Sequence, residues 1–166
     1  MLLLGSAALA EGAYAEARDS LRESVAVVHK IGHRHDLSLL ALVILGYAER
    51  GLGDLGQAQQ HLCEGLRVTA EIGAFMPLPW ALPAVALLLA DCGQVERAVE
   101  LYALASRYPF VAHSRWFEDV AGRHIAAAAA TLPPNVVTAA QERGRARDLD
   151  ATIRELLAEN VGPFRS

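Results

Sequence analysis

LGYAERGLGDLGQAQQHLCEG, from Leu45 to Gly65, decides the fold because the chain repeats it on both sides. LGSAALAEGAYAEARDSLRES from Leu4 and VALLLADCGQVERAVELYALA from Val85 align with it, at periods of 41 and then 40 residues. A small residue (Gly5, Gly46, Ala86) is followed seven positions later by glycine (Gly12, Gly53, Gly93) and five later again by alanine (Ala17, Ala58, Ala98). Four residues on stands a large apolar residue (Leu21, Leu62, Tyr102), and then a small one (Ser24, Gly65, Ala105). The first two copies also share an exit, Lys-Ile-Gly at Gly32 and Glu-Ile-Gly at Gly73. Self-similarity of this kind outranks any local motif in deciding an architecture.

The spacing describes a helical hairpin. The glycine ends one helix where the chain needs a positive φ, and the next helix begins two or three residues later. Small residues mark positions where two backbones approach closely, and alanine followed at i+4 by a large apolar residue places both on one buried stripe. One hairpin does not cover its own apolar face, so stacking copies is what buries it. Apolar periodicity and capping residues predict helices over 2–11, 14–30, 36–51, 55–72, 79–92, 95–107, 114–131, 134–146 and 149–160. Asp36 and Asp148 are expected N-caps, Pro79 suits a first turn, and Pro133-Pro134 separate the seventh and eighth helices. The last helix, carrying Leu149, Ile153, Leu156 and Leu157, is expected to cap the open end of the array.

These residues resemble tetratricopeptide repeats, which place small residues and alanine at the same helix crossings. The likeness covers about residues 1 to 107, in three copies. The period exceeds the family's 34 residues, Leu42 and Leu82 stand where the family has an aromatic before the first small residue, and the closing proline is absent. The longer repeat is similar to those at the C-terminal end of bacterial STAND signalling ATPases and related transcriptional regulators, as is the segment from Trp116 through GRARDLDATIRELLAE. The resemblance implies a right-handed α-solenoid of antiparallel hairpins, about 1–32, 36–73 and 78–107, with a terminal hairpin and cap over about 113–160. It also implies a sensor or docking role. The first copy has only a few residues before Gly5 where the others have about ten, so the chain reads as a fragment of a larger protein.

Composition agrees with an all-α class. Of 166 residues 53% are hydrophobic, but 31 are alanine, the best helix former and a poor strand former. The length suits a single domain with a sizeable core. A net charge of −4 gives no electrostatic footprint for nucleic acid or an anionic membrane. The longest apolar runs are too short or too broken by proline to span a bilayer. Cys63 and Cys92 form no disulfide framework and fit a reducing, cytoplasmic setting. The opening MLLLGSAALA has the apolar run of a signal peptide without its positive start, and it continues directly into the repeat.

Local motifs yield to the repeat. Gly51-Leu-Gly53-Asp-Leu-Gly56 is a literal G-x-G-x-x-G, with Glu71 fifteen residues beyond. That fingerprint needs a preceding strand, and here a helix is expected. The His29, His33, His35, Asp36 group reads as a polar inter-repeat link, and His113, Glu118, Asp119 and His124 do not share a helix face, so neither is expected to hold a metal. No nucleophile elbow, phosphate loop or Cys/His pair is present, so no enzyme activity and no cofactor are expected. Arg143, Arg145 and Arg147 read as a solvated face, phosphate contact being the other reading.

The expected function is binding of a protein or peptide partner, or a small-molecule effector, along the inner face of the first helices. Leu40, Val43, Tyr47 and Arg50 share that face in the second copy, and Trp80, Ala84, Leu87 and Asp91 in the third, with Trp116 and Arg123 continuing it. Tyr47, Arg50, Trp80, Trp116 and Arg123 are the contact candidates, because aromatic and arginine side chains carry interface energy. The competing reading makes both tryptophans core. A different class of function is structural self-association, a homo-oligomer formed through Leu2, Leu3 and Leu4.

Overall fold

The computed structural model describes residues 1–31, 36–73 and 77–159, and every regular element among them is helical. In order these are α1 (Leu2–Ala10), α2 (Tyr14–Ile31), α3 (Asp36–Gly51), α4 (Leu55–Ile72), α5 (Pro77–Asp91), α6 (Val95–Ala105) and α7 (Pro109–Ala112). There follow α8 (Arg115–Phe117), a π-helical turn (Glu118–Gly122), α9 (Arg123–Ala129), α10 (Pro134–Ala146) and α11 (Leu149–Ala158). The chain divides into two compact units, Met1–Leu78 and Pro79–Ser166.

The sequence repeat is a backbone repeat. Gly12, Gly53 and Gly93 have φ of 77°, 81° and 78°. Each glycine N–H bonds the carbonyl three residues back, on Leu9, Arg50 and Ala90, at 3.1, 2.9 and 3.0 Å. The following N–H reaches back five residues, Ala13 to Ala8, Asp54 to Glu49 and Gln94 to Leu89, at 2.8, 2.9 and 2.8 Å. This pairing satisfies carbonyls that a helix end would leave open. The carbonyls of Ala13, Asp54 and Gln94 then accept from Ala17, Ala58 and Ala98, starting the next helix in the same register each time. Asp54 adds a side-chain cap, accepting from Gln57 N at 3.2 Å.

In the first unit α1 packs on α2, α2 on α3 and α3 on α4. The small-to-large pairs of the repeat are real contacts. A Cβ on Gly5 would lie 2.6 Å from Leu21 Cγ, and one on Gly46 2.8 Å from Leu62 Cγ. Ala17 and Ala58 are fully buried beside them. The glycine triplet divides its work: a Cβ on Gly51 would strike the Tyr14 ring at 2.3 Å, Gly53 makes the turn, and Gly56 has nothing within 4 Å. Helix α3 packs against α2 and α4, and its residues 39–49 are all buried. One of them is a carboxylate. Glu49 is 0% exposed, its Oε1 accepting from Arg22 on α2 at 3.3 Å and its Oε2 lying 2.6 Å from His61 Nδ1 on α4.

In the second unit α6 packs on α9 and α10. Gly144 permits the closest crossing, since a Cβ there would lie 2.0 Å from the Glu100 carbonyl oxygen. Asp148 caps α11 as expected, accepting from Ala151 N at 2.8 Å, and Pro133 and Pro134 open α10. Two elements differ from the sequence reading. Pro109 starts a four-residue helix, α7, after an extended Tyr108. The single helix expected over 114–131 is interrupted by the π turn, which places Val120, Ala121 and Gly122 in the interior. The His33 to His35 connector and the tail from residue 160 lie outside the described residues, and so does the Asp36 side chain.

Gly144→Ala is expected to lower stability by roughly 1–3 kcal/mol, because backbone must move to admit the methyl group. Gly56→Ala, in open space on a helix, is expected to raise it by about 0.4–1 kcal/mol. Denaturant unfolding of the two variants measures both; equal effects would contradict the close crossing.

Candidate functional site

The second unit contains a half-open cavity of about 510 Å³ between α6, the π turn with α9, and α10. Its α6 wall is the stripe Val99, Tyr102, Ala103 and Ser106, at the i, i+3, i+4, i+7 spacing of one helix face. Glu118, Gly122, Ile125, Ala126 and Ala129 form the second wall, and Gln141 and Arg145 the third, with Arg107 at the edge. Val99, Ala103 and Ile125 are buried, so the lining is apolar in depth, while Glu118 and Arg145 are exposed at its rim. The volume is of the size that holds small organic ligands.

The π turn shapes this cavity. Glu118 and Gly122, its first and last residues, lie on one wall, and such turns recur at functional sites. A Cβ on Gly122 would lie 2.4 Å from Glu118 Oε2 and 2.6 Å from the Tyr102 hydroxyl. The missing side chain lets a carboxylate and a phenol converge over bare backbone. Burial, reinforced by the Glu118 charge, pushes the Tyr102 phenol above its usual range, so it stays protonated and can donate.

The arginine run next to the cavity has two roles. Arg143 Nε donates to Glu100 at 3.1 Å and its Nη2 to Glu96 at 2.5 Å. Arg147 bonds Glu100 and Glu155, and its Nε donates to Thr152 at 3.0 Å. Arg97 on α6 reaches Glu155 on α11 and Glu159 at its C-terminal cap, at 3.1 and 2.5 Å. These side chains tie α6, α10 and α11 together; Arg143 and Arg145 are exposed, as a solvated face requires, and Arg147 is half-buried. Arg145, pointing to the cavity instead, has no ion-pair partner among the described residues, and the same holds for Glu118. Arg107 donates to the Arg147 carbonyl at 2.7 Å.

The residues singled out from sequence fall in both units. Tyr47 and Arg50 belong to the first, where Tyr47 is 3% exposed, so its ring is buried and not an open contact face. Arg50 is half-buried. Trp80, Trp116 and Arg123 belong to the second. Trp80 and Trp116 are brought together, centroids 5.5 Å apart, and both meet the buried Phe117 edge-on, at 4.8 and 5.0 Å. Phe110 completes the cluster 6.5 Å from Trp80. Arg123 is exposed, one residue beyond the π turn. Leu3 and Leu4 are exposed and Leu2 half-buried.

No family model, curated protein or solved structure matches the chain. Its chemistry therefore rests on the geometry alone. No group of three or more His, Cys, Asp or Glu among the described residues is placed to hold a metal, and no helix among them is long and apolar enough to cross a membrane. Burial pushes the Cys63 thiol up to about 11, so at neutral pH it is a protonated thiol.

Glu100 supplies the pH-sensitive element beside the cavity. Burial alone would raise its carboxyl, but hydrogen bonds from Arg147 and Arg143, and their charges, outweigh that and hold it below the ordinary value of 4.5. A carboxyl lowered in the folded state adds stability that is complete above the unfolded value and is lost as pH falls through the folded one. Thermal stability should therefore drop on acidification below about pH 4.5, and Glu100→Gln should flatten that limb while destabilising the protein at pH 7. Melting curves across the range check this; an unchanged acid limb in Glu100→Gln would contradict it.

Proposed function

We propose that the chain is a non-catalytic binding module of a bacterial signalling or regulatory protein. Its hairpins form a right-handed solenoid of the long tetratricopeptide kind, and ligand or partner recognition gives the module a sensor or scaffold role. The observation that carries the reading is the three-fold recurrence of one turn, with left-handed glycines at 12, 53 and 93 and the same hydrogen bonds around each. Repeated hairpins stack into extended recognition surfaces, the use to which such arrays are put.

The cavity beside the π turn supports binding in particular. An apolar interior with a few convergent polar groups is the ordinary make-up of a ligand pocket. Trp80 and Trp116, half-buried in the same unit, supply apolar area, and Arg123 a charge at the surface. A library of small molecules and short peptides, followed by amide NMR shifts, tests the reading. Shifts should concentrate at Tyr102, Gly122, Ile125 and Arg145. A library that perturbs none of these residues defeats it.

Self-association is the second reading, favoured by the exposure of Leu3 at 84% and Leu4 at 63% on α1. Apolar residues grouped at one place on a surface favour contact with another chain. Light scattering should then show a dimer or larger assembly that Leu3→Glu with Leu4→Glu dissociates. A monomer in the parent protein removes this reading.

A further inference from the structure

The lining of the cavity carries more chemistry than a site for apolar ligands requires. Glu118 and Arg145 bear opposite charges, line the same space, and neither has an ion-pair partner among the described residues, so they do not neutralise one another. Between them the interior is apolar, formed by Val99, Ala103 and Ile125. The Tyr102 hydroxyl lies beside Glu118 over Gly122. Each neighbouring arginine of α10 and its exit is already committed to Glu96, Glu100 or Glu155, which leaves Arg145 as the guanidinium this wall offers a ligand.

We propose that the cavity receives a small dipolar ligand, an ammonium group and a carboxylate at opposite ends of an aliphatic chain. The ammonium sits against the Glu118 carboxylate and donates to it. The Tyr102 hydroxyl, next to that carboxylate, offers a lone pair to the same ammonium. The ligand carboxylate meets the Arg145 guanidinium, a pairing that is commonly bidentate and stronger than a neutral hydrogen bond. Val99, Ala103 and Ile125 cover the methylenes between the two ends. A molecule with one charge would leave either Glu118 or Arg145 unmatched, so the site selects for both charges at once. This inference rests on reading the cavity as a ligand site, and it adds the charge pattern of the ligand.

Titration calorimetry of the 166-residue chain with 6-aminohexanoic acid, hexanoic acid and hexylamine tests the pattern. The dipolar probe should bind at least about tenfold tighter than either singly charged probe, a difference of about 1.4 kcal/mol. Glu118→Gln should abolish its advantage over hexanoic acid, and Arg145→Gln its advantage over hexylamine, in variants whose circular dichroism matches the parent. Equal affinity for the three probes, no binding of the dipolar one, or an advantage that survives both substitutions would overturn the proposal. A library compound that shifts the amides of Tyr102 and Ile125 while 6-aminohexanoic acid does not would overturn the charge pattern and leave the binding-module reading standing. A cavity that no compound perturbs would remove both.

Discussion

The left-handed glycine between paired helices is the constraint on which the rest of the structure depends. With φ near +80° and a back-bond spanning five residues, the turns at Gly12, Gly53 and Gly93 fix where each following helix starts. That fixes which residues face each other across the pair. In the first two copies the facing residues are Gly5 with Leu21 and Gly46 with Leu62, where a leucine fills the space of a missing Cβ. A residue with a Cβ at the turn would adopt positive φ under strain. The turn and the small residue therefore depend on each other, because close approach needs both a fixed start and an absent side chain.

Much of this was legible in the sequence for that reason. Helix positions, the turn glycines, the buried alanines at 17, 58 and 98 and the Asp148 cap all express local geometry, which a single chain segment encodes. The π turn was not legible: Gly122 lies against Glu118 and against Tyr102 from another helix, a contact that helical periodicity does not register. Tyr47 read as groove because its spacing with Arg50 marks a helix face. Its burial depends on what packs over that face, and the face itself does not reveal how many neighbours it has. The ion pairs of the basic run were equally hidden, since the acids that engage Arg143 and Arg147 come from α6 and α11.

Glu49 shows a polar residue at an apolar position of the repeat. Ala8 and Leu89 stand at the same place in the other copies, and both are buried. The carboxylate is tolerated because Arg22 and His61 reach it from the flanking helices. The arrangement links α2 and α4 to α3 through one carboxylate, and it distinguishes the second copy from its neighbours.

The cavity arises from a departure at another repeat position. Leu21 and Leu62 fill a space opened by glycine, whereas the third copy has Tyr102 in that place and Ala86 where the glycines stand. The tyrosine is longer and carries a hydroxyl, and it reaches Gly122 on the π turn, where Glu118 lies against the same backbone. A glycine is thus still opposite the large residue, but it is on another helix, and the contact has become polar. Polar groups brought together in this way retain hydrogen-bonding capacity that apolar packing does not use. The repeat supplies the frame, and the one copy in which its apolar contact is replaced by a phenol opens toward a carboxylate, an arginine and a cavity.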